Sequence, residues 1–198
     1  MRLHLWPVLL LMGLSTWSTA QHKTILEIGK NPVETDFASG GELRFDLCSS
    51  GVTIRGSENN KVRISYGGGK GDPSKVRIKF KSTGNRGELD ISSCPHNNFQ
   101  ITIDVPSQTD LYLRQFAGQV DVVRVTGNKD IELHAGQLNV EVGKPEDYAH
   151  VEGSVNTGEV NAMAFNVSKG GLFRSFEKDG PGKYRLHAHV GAGELDLN

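Results

Sequence analysis

Most of the patterns that usually name an activity are missing from these 198 residues. No G-x-S-x-G, H-E-x-x-H, P-loop or C-x-x-C occurs, so the familiar hydrolase, zinc-protease, nucleotide and thiol-redox signatures have no foothold. Net charge is nearly absent too, with 22 Lys+Arg against 23 Asp+Glu. That balance excludes a globally basic nucleic-acid binder. Proline is limited to 7 residues, and the 24 glycines follow no Gly-X-Y period, which excludes a collagen-like rod. Helical periodicity is almost absent beyond the first twenty residues. No apolar run approaches the roughly 20 residues that a membrane-spanning helix needs. Cysteine is restricted to Cys48 and Cys94.

The chain opens with Arg2, an apolar run from Leu5 to Leu14, and small residues at Ser18 and Ala20. This pattern predicts a secretory leader over residues 1–20, with a mature start near Gln21 and an exported product, periplasmic or extracellular. An oxidising compartment in turn predicts that Cys48 and Cys94 form a structural disulfide.

Beyond the leader, short segments alternate apolar and polar residues. Examples are Leu43/Phe45/Leu47, Val62/Ile64/Tyr66, Val76/Ile78/Phe80 and Ile101/Ile103/Val105. Period-two alternation bounded by Gly, Asn and Asp predicts half-buried strands and an all-β fold. A repeat then suggests how the strands are arranged. Ala117–Val122, Ala135–Val140, Thr157–Ala162 and Ala192–Leu197 share the pattern small-Gly-[Gln/Glu]-[Val/Leu]-[Asp/Asn]-apolar. A degenerate copy lies near Gly170–Gly171. Repeats of about twenty residues predict a single-domain β-solenoid, with glycine at the corners. Val120, Leu138, Val160 and Leu195 would form one core column, and Asp121, Asn139, Asn161 and Asp196 an outward one. The expected organisation is a 21–40 segment capping the first coil, then a solenoid over 41–198. Gly67–Ser74 is expected to join two paired strands as a hairpin-like excursion. The alternative is a β-sandwich.

Several of these stretches together resemble the bacterial putative-adhesin family of β-solenoid domains. They are Gly41-Glu42-Leu43, Gly51-Val52-Thr53-Ile54-Arg55-Gly56, Lys61-Val62-Arg63-Ile64, Ile101–Pro106, Asp110–Leu113 and the Gly-x-[Val/Leu]-x-[Val/Leu] units. The resemblance covers about Gly41 to Asn198. It implies a β-solenoid with an adhesion-type role, and it supplies no catalytic residues and no cofactor.

Candidate sites are sparse. Residues 21–86 carry 12 basic and 7 acidic groups, and residues 87–198 carry 9 and 16. Alternation places Lys75, Arg77, Lys79 and Lys81 on one strand face, with Lys61 and Arg63 on its expected partner strand. Together they would form one exposed positive patch for an anionic ligand, or a solvated face whose lysines discourage edge pairing. His187 and His189 share a face, and Leu133-His134-Ala135 echoes Leu186-His187-Ala188. A metal cluster of these three histidines would require the two echoes to stack. Partners consistent with this reading are an envelope glycan, an anionic surface or another envelope protein. Because the chain ends on a strand without an obvious cap, end-to-end self-association also belongs among the expectations. The functional reading is a non-catalytic exported protein with a binding, adhesion or structural role; the alternative is a β-helical hydrolase or lyase acting on polysaccharide.

Overall fold

The computed structural model describes residues 22–198; the predicted leader lies outside the described residues. Alternation sets the inside and outside of each strand. In β3 (Gly41–Leu47), Leu43, Phe45 and Leu47 are buried while Arg44 and Asp46 are exposed. The same rule buries Val52 and Ile54 of β4 (Ser50–Ser57), Val62 and Ile64 of β5 (Lys61–Lys70), and Ile78 and Phe80 of β6 (Arg77–Thr83). It also buries Leu89 and Ile91 of β7 (Arg86–Ser92), and Ile101 and Ile103 of β8 (His96–Pro106). β1 (His22–Ile28) and β2 (Val33–Asp36) precede these strands. Five longer strands follow: β9 (Thr109–Val123), β10 (Lys129–Val140), β11 (Tyr148–Ala162), β12 (Val167–Asp179) and β13 (Tyr184–Leu197). All thirteen join one mixed sheet, and its main path runs β1-β6-β7-β3-β9-β10-β13-β11-β12.

The long strands bend in the middle, so the sheet has two halves. The first half of β9 pairs with β3, and its second half pairs with β4. β3 and β4 are therefore two arms of one layer, broken at Cys48-Ser49. β7 and β8 are the arms of the next layer, pairing with β3 and β4 respectively. The disulfide between Cys48 and Cys94 joins these two layers at the bend, as expected from the sequence.

Inward residues on either side of the bend reveal its mechanism. They are Leu133 and Leu138 in β10, Val155 and Val160 in β11, and Val190 and Leu195 in β13. Each step is odd where an unbroken strand requires an even one. A glycine absorbs the change with positive φ: 132° at Gly118, 133° at Gly136, 136° at Gly158 and 141° at Gly193. L-residues rarely adopt this conformation. The glycines are also in register across layers. A Cβ on Gly136 would collide with the carbonyl oxygen of Gly118, and one on Gly193 with that of Gly136. The corner is thus a column of glycines packed backbone to backbone.

The predicted core column forms, with Val120, Leu138, Val160 and Leu195 all fully buried. Its order is Val120, Leu138, Leu195, Val160, because β13 lies between β10 and β11 and runs parallel to both. The strand latest in the chain therefore fills an interior slot. The terminal layer is β12, antiparallel to β11, and Gly171 rather than Gly170 joins the glycine column opposite Gly158. Where neighbouring layers would place apolar residues, β12 sets Lys178, Arg174 and Lys169 opposite Val151, Val155 and Val160. Phe165 and Phe176 pack together there, with ring centroids 6.0 Å apart.

At the other end, residues 22–40 supply β1 and β2, which pair with β6 and β5 respectively. The expected hairpin between β5 and β6 is absent. Gly67–Lys70 continues β5 along β8, while β6 pairs with β1 and β7. The link between them is a 3-10 turn, Pro73–Lys75, whose N-cap Asp72 accepts the Ser74 backbone N–H. It carries the chain from one half of the sheet to the other.

Candidate functional site

Charged and polar side chains line the outward side of the β6-β7-β3-β9 half. Register builds two rows across it. One row runs Lys81, Glu88, Arg44, Tyr112, Asp130, His187. The second runs Lys79, Asp90, Asp46, Arg114, Glu132, His189. Side chains at matching positions of adjacent strands touch, so charges along a row can compensate one another.

Arg44 anchors the first row. Its Nε donates to Glu42 at 2.9 Å, and its guanidinium lies over the Tyr112 ring, 4.6 Å from the centroid. Glu42 also receives Arg86 at 3.9 Å. A shallow depression of about 290 Å³ opens beside Arg44, lined by Asp46, Lys79, Lys81, Glu88 and Asp90. It shares Arg44, Lys81 and Glu88 with a wider hollow of about 610 Å³ that reaches His22, Glu42 and Arg86. Together they form a groove whose rim mixes cations and carboxylates.

Further along the face, Arg114 binds Asp130 and Glu132, each at 3.1 Å, and His187 Nδ1 lies 2.9 Å from Asp130. Partial burial alone would raise the Asp130 carboxyl, but hydrogen bonds and charge from Arg114 and His187 hold it below the ordinary carboxylate range. His189 Nδ1 is 2.8 Å from the Ser154 hydroxyl.

The six predicted patch residues separate into two groups. Arg77, Lys79 and Lys81 share the outward side of β6, and Lys75 sits in the preceding turn. Lys79 faces Asp90 and Lys81 faces Glu88. Lys61 and Arg63 lie on β5 in the other half, opposite Asp36 and Glu34, and Arg63 reaches Glu34 at 3.5 Å. The partner strands expected from the sequence do not pair, and carboxylates face four of the six cations.

The three histidines do not cluster either. His187 aligns with Asp130 and His189 with Glu132, whereas His134 stacks on Phe116 at 4.9 Å and 15°. The Leu-His-Ala echo misled because the bend glycines, not that tripeptide, set the register. Aligning Gly136 with Gly193 places Asp130 beside His187, a signal already present in the repeat. The outward column runs Asp121, Asn139, Asp196, Asn161. Within it the Asn139 amide donates to Asp121 at 2.6 Å.

No protein-family model and no curated protein matches the chain. Among solved structures, a "putative cell adhesion protein" from Clostridium sporogenes is similar over 89% of this chain and 99% of that one. Its sequence identity is 18% and its TM-score 0.48. Among the described residues, no helix is long and apolar enough to cross a membrane.

One buried charge lies away from the outward face. Lys129 occupies an inward position between Leu111 and Leu186 and is 1% exposed. Its ammonium donates to Tyr148 Oη at 2.8 Å and to the Gly127 carbonyl at 3.2 Å. Burial pulls its pKa down to about 8, partly opposed by Asp110. Burial, with Asp147 and Tyr184, pushes Tyr148 up to about 12.

Proposed function

We propose that this is an exported, non-catalytic β-solenoid protein that binds an envelope or surface glycan through the groove on its outward face. The solenoid reading rests on the parallel, in-register stacking of β9, β10, β13 and β11 around the glycine column. Export is supported by the leader pattern and by the Cys48–Cys94 disulfide.

The observation that carries the binding role is the groove around Arg44. Its cations, Lys79 and Lys81 of β6 and Arg44 of β3, flank the carboxylates Glu88 and Asp90 of β7, and Arg44 lies over the Tyr112 ring at its edge. Donors and acceptors fixed on rigid strands suit the hydroxyl-rich, non-planar surface of a polysaccharide. The groove spreads across several layers, which suits an extended chain.

The test is retention on immobilised acidic and neutral envelope polysaccharides by the parent, Arg44→Ala and Lys81→Ala. The parent should be retained and each variant should lose at least tenfold in affinity. Retention of the acidic polysaccharide should weaken as salt shortens the screening length. Equal retention of parent and variants would remove the groove from the reading. Release of new reducing or unsaturated ends during the same assay would replace it with the polysaccharide-cleaving alternative.

A further inference from the structure

The geometry points to a divalent transition-metal site on the outward side of the β11–β12 pair, built by His150 and Glu177, with Asp179 behind the imidazole and Glu152 opposite Glu177 on the paired strand. The site is independent of the glycan groove. His150 faces Asp179 directly across the antiparallel pair, and Glu152 faces Glu177. All four side chains therefore occupy adjacent positions on one face. His150 is the least exposed of the ion-paired set, at 18%.

The two nitrogens of His150 have different surroundings. Nδ1 lies 2.8 Å from the Asp179 carboxylate, an ordinary hydrogen-bond distance. Facing that carboxylate, the neutral imidazole carries its proton on Nδ1 and presents the Nε2 lone pair to a metal. A carboxylate behind a ligating histidine is the usual support for a metal-bound imidazole. Nε2 in turn lies 3.5 Å from Glu177 Oε1. This is long for a charge-assisted hydrogen bond, which falls at about 2.7–2.9 Å. It matches two ligands of one tetrahedral ion: bonds of about 2.0–2.1 Å put neighbouring donor atoms about 3.4 Å apart.

Charge argues the same way. Glu152 and Glu177 are like charges directly opposite each other on paired strands, an arrangement that destabilises unless a cation lies between them. Among the described residues no lysine or arginine forms an ion pair with either of them or with Asp179. Arg185 lies beside His150 on β13 and makes no such pair. The contrast with the neighbouring Asp130–Glu132–His187 group is informative. There Arg114 already occupies the position between the two carboxylates. His187, beside Glu152 on β13, has its Nδ1 held by Asp130. An imidazole nitrogen beside a carboxylate favours a borderline ion such as Zn²⁺ over Ca²⁺ or Mg²⁺, which prefer oxygen alone.

The experiment is calorimetric titration of the untagged protein with Zn²⁺, Co²⁺ and Ca²⁺ at pH 7.5, with thermal unfolding in parallel. One Zn²⁺ per chain should bind and raise the melting temperature, and Ca²⁺ should not compete. His150→Ala and Glu177→Gln should each weaken Zn²⁺ at least tenfold. Asp179→Asn should weaken it about 10–100-fold while leaving the stoichiometry at one. His134→Ala and His189→Ala should bind as the parent does. Absence of Zn²⁺ binding at millimolar concentration would overturn the assignment. So would equal affinity in His150→Ala, or loss in His134→Ala matching that in His150→Ala.

Discussion

Replacing Lys129 with methionine should change how stability depends on pH more than it changes the fold. The Lys129 ammonium sits in a core row between Leu111 and Leu186. Its folded pKa is about 8 against an ordinary 10.5. The fold therefore disfavours the charged form. Below pH 8 both folded and unfolded chains carry the proton, and the folded state bears the full cost of burying it. Between pH 8 and 10.5 the folded state releases the proton while the unfolded state keeps it, so stability rises with pH across that window. The gain approaches about 3 kcal/mol once pH passes 10.5, because each tenfold difference in acidity between the folded and unfolded states is worth about 1.36 kcal/mol. Tyr148 acts in the opposite sense at higher pH. Its folded pKa of about 12 makes stability fall as pH rises from 10 towards 12. In Lys129→Met the burial cost disappears, but Tyr148 Oη and the Gly127 carbonyl each lose a donor, at about 1 kcal/mol apiece. The variant should then be about 1 kcal/mol more stable than the parent at pH 7 and about 1 kcal/mol less stable at pH 10. Urea unfolding of both proteins at pH 7, 8, 9 and 10 measures this directly. A difference between them that stays constant from pH 7 to 10 would refute the reasoning.

Two other perturbations probe the bend. Gly136→Ala and Gly193→Ala combine an unfavourable φ with a backbone collision, and each should cost at least about 3 kcal/mol in thermal unfolding; Gly40→Ala, with positive φ but open space around it, should cost about 1 kcal/mol. Reduction of Cys48–Cys94, or the double serine variant, should cost about 4 kcal/mol for a closed loop of 46 residues, measured by denaturant titration with and without reductant.

The parts of the fold legible in the sequence are those governed by local rules. Alternation identified the inward residues of β3, β5 and β8, and the repeat identified both the glycine corner and the residues that share its core column. Order along the stack was not legible. Strands β10, β11 and β13 carry nearly the same repeat, and parallel in-register copies can neighbour one another in any order. Nothing local in Ala192–Leu197 distinguishes an interior slot from a terminal one. The β5–β6 hairpin failed for a related reason. Two alternating segments joined by glycines look like partners, yet Asp72 and Pro73 turn the chain between the two sheet halves. With that pairing lost, the predicted cationic patch divided, because the residue facing Lys79 or Lys81 depends on β7, which the alternation of β6 does not specify. The neighbours of His150 are visible only once β11 and β12 are known to run antiparallel about Gly158 and Gly171.

The interior position of β13 also constrains the order of assembly. β10 has no edge contact with β11; each waits for a strand that emerges after both. Until Tyr184–Leu197 arrives, the layers up to β10 end in an open parallel edge, and the β11–β12 hairpin has nothing to dock on. Synthesis from the N-terminus can therefore complete most of the sheet early but cannot close it. The two partly built bodies remain separate until the last strand slides between them. A chain of this topology keeps an adhesive edge exposed through most of its production, and a delay in translation or transport before β13 would prolong that exposure.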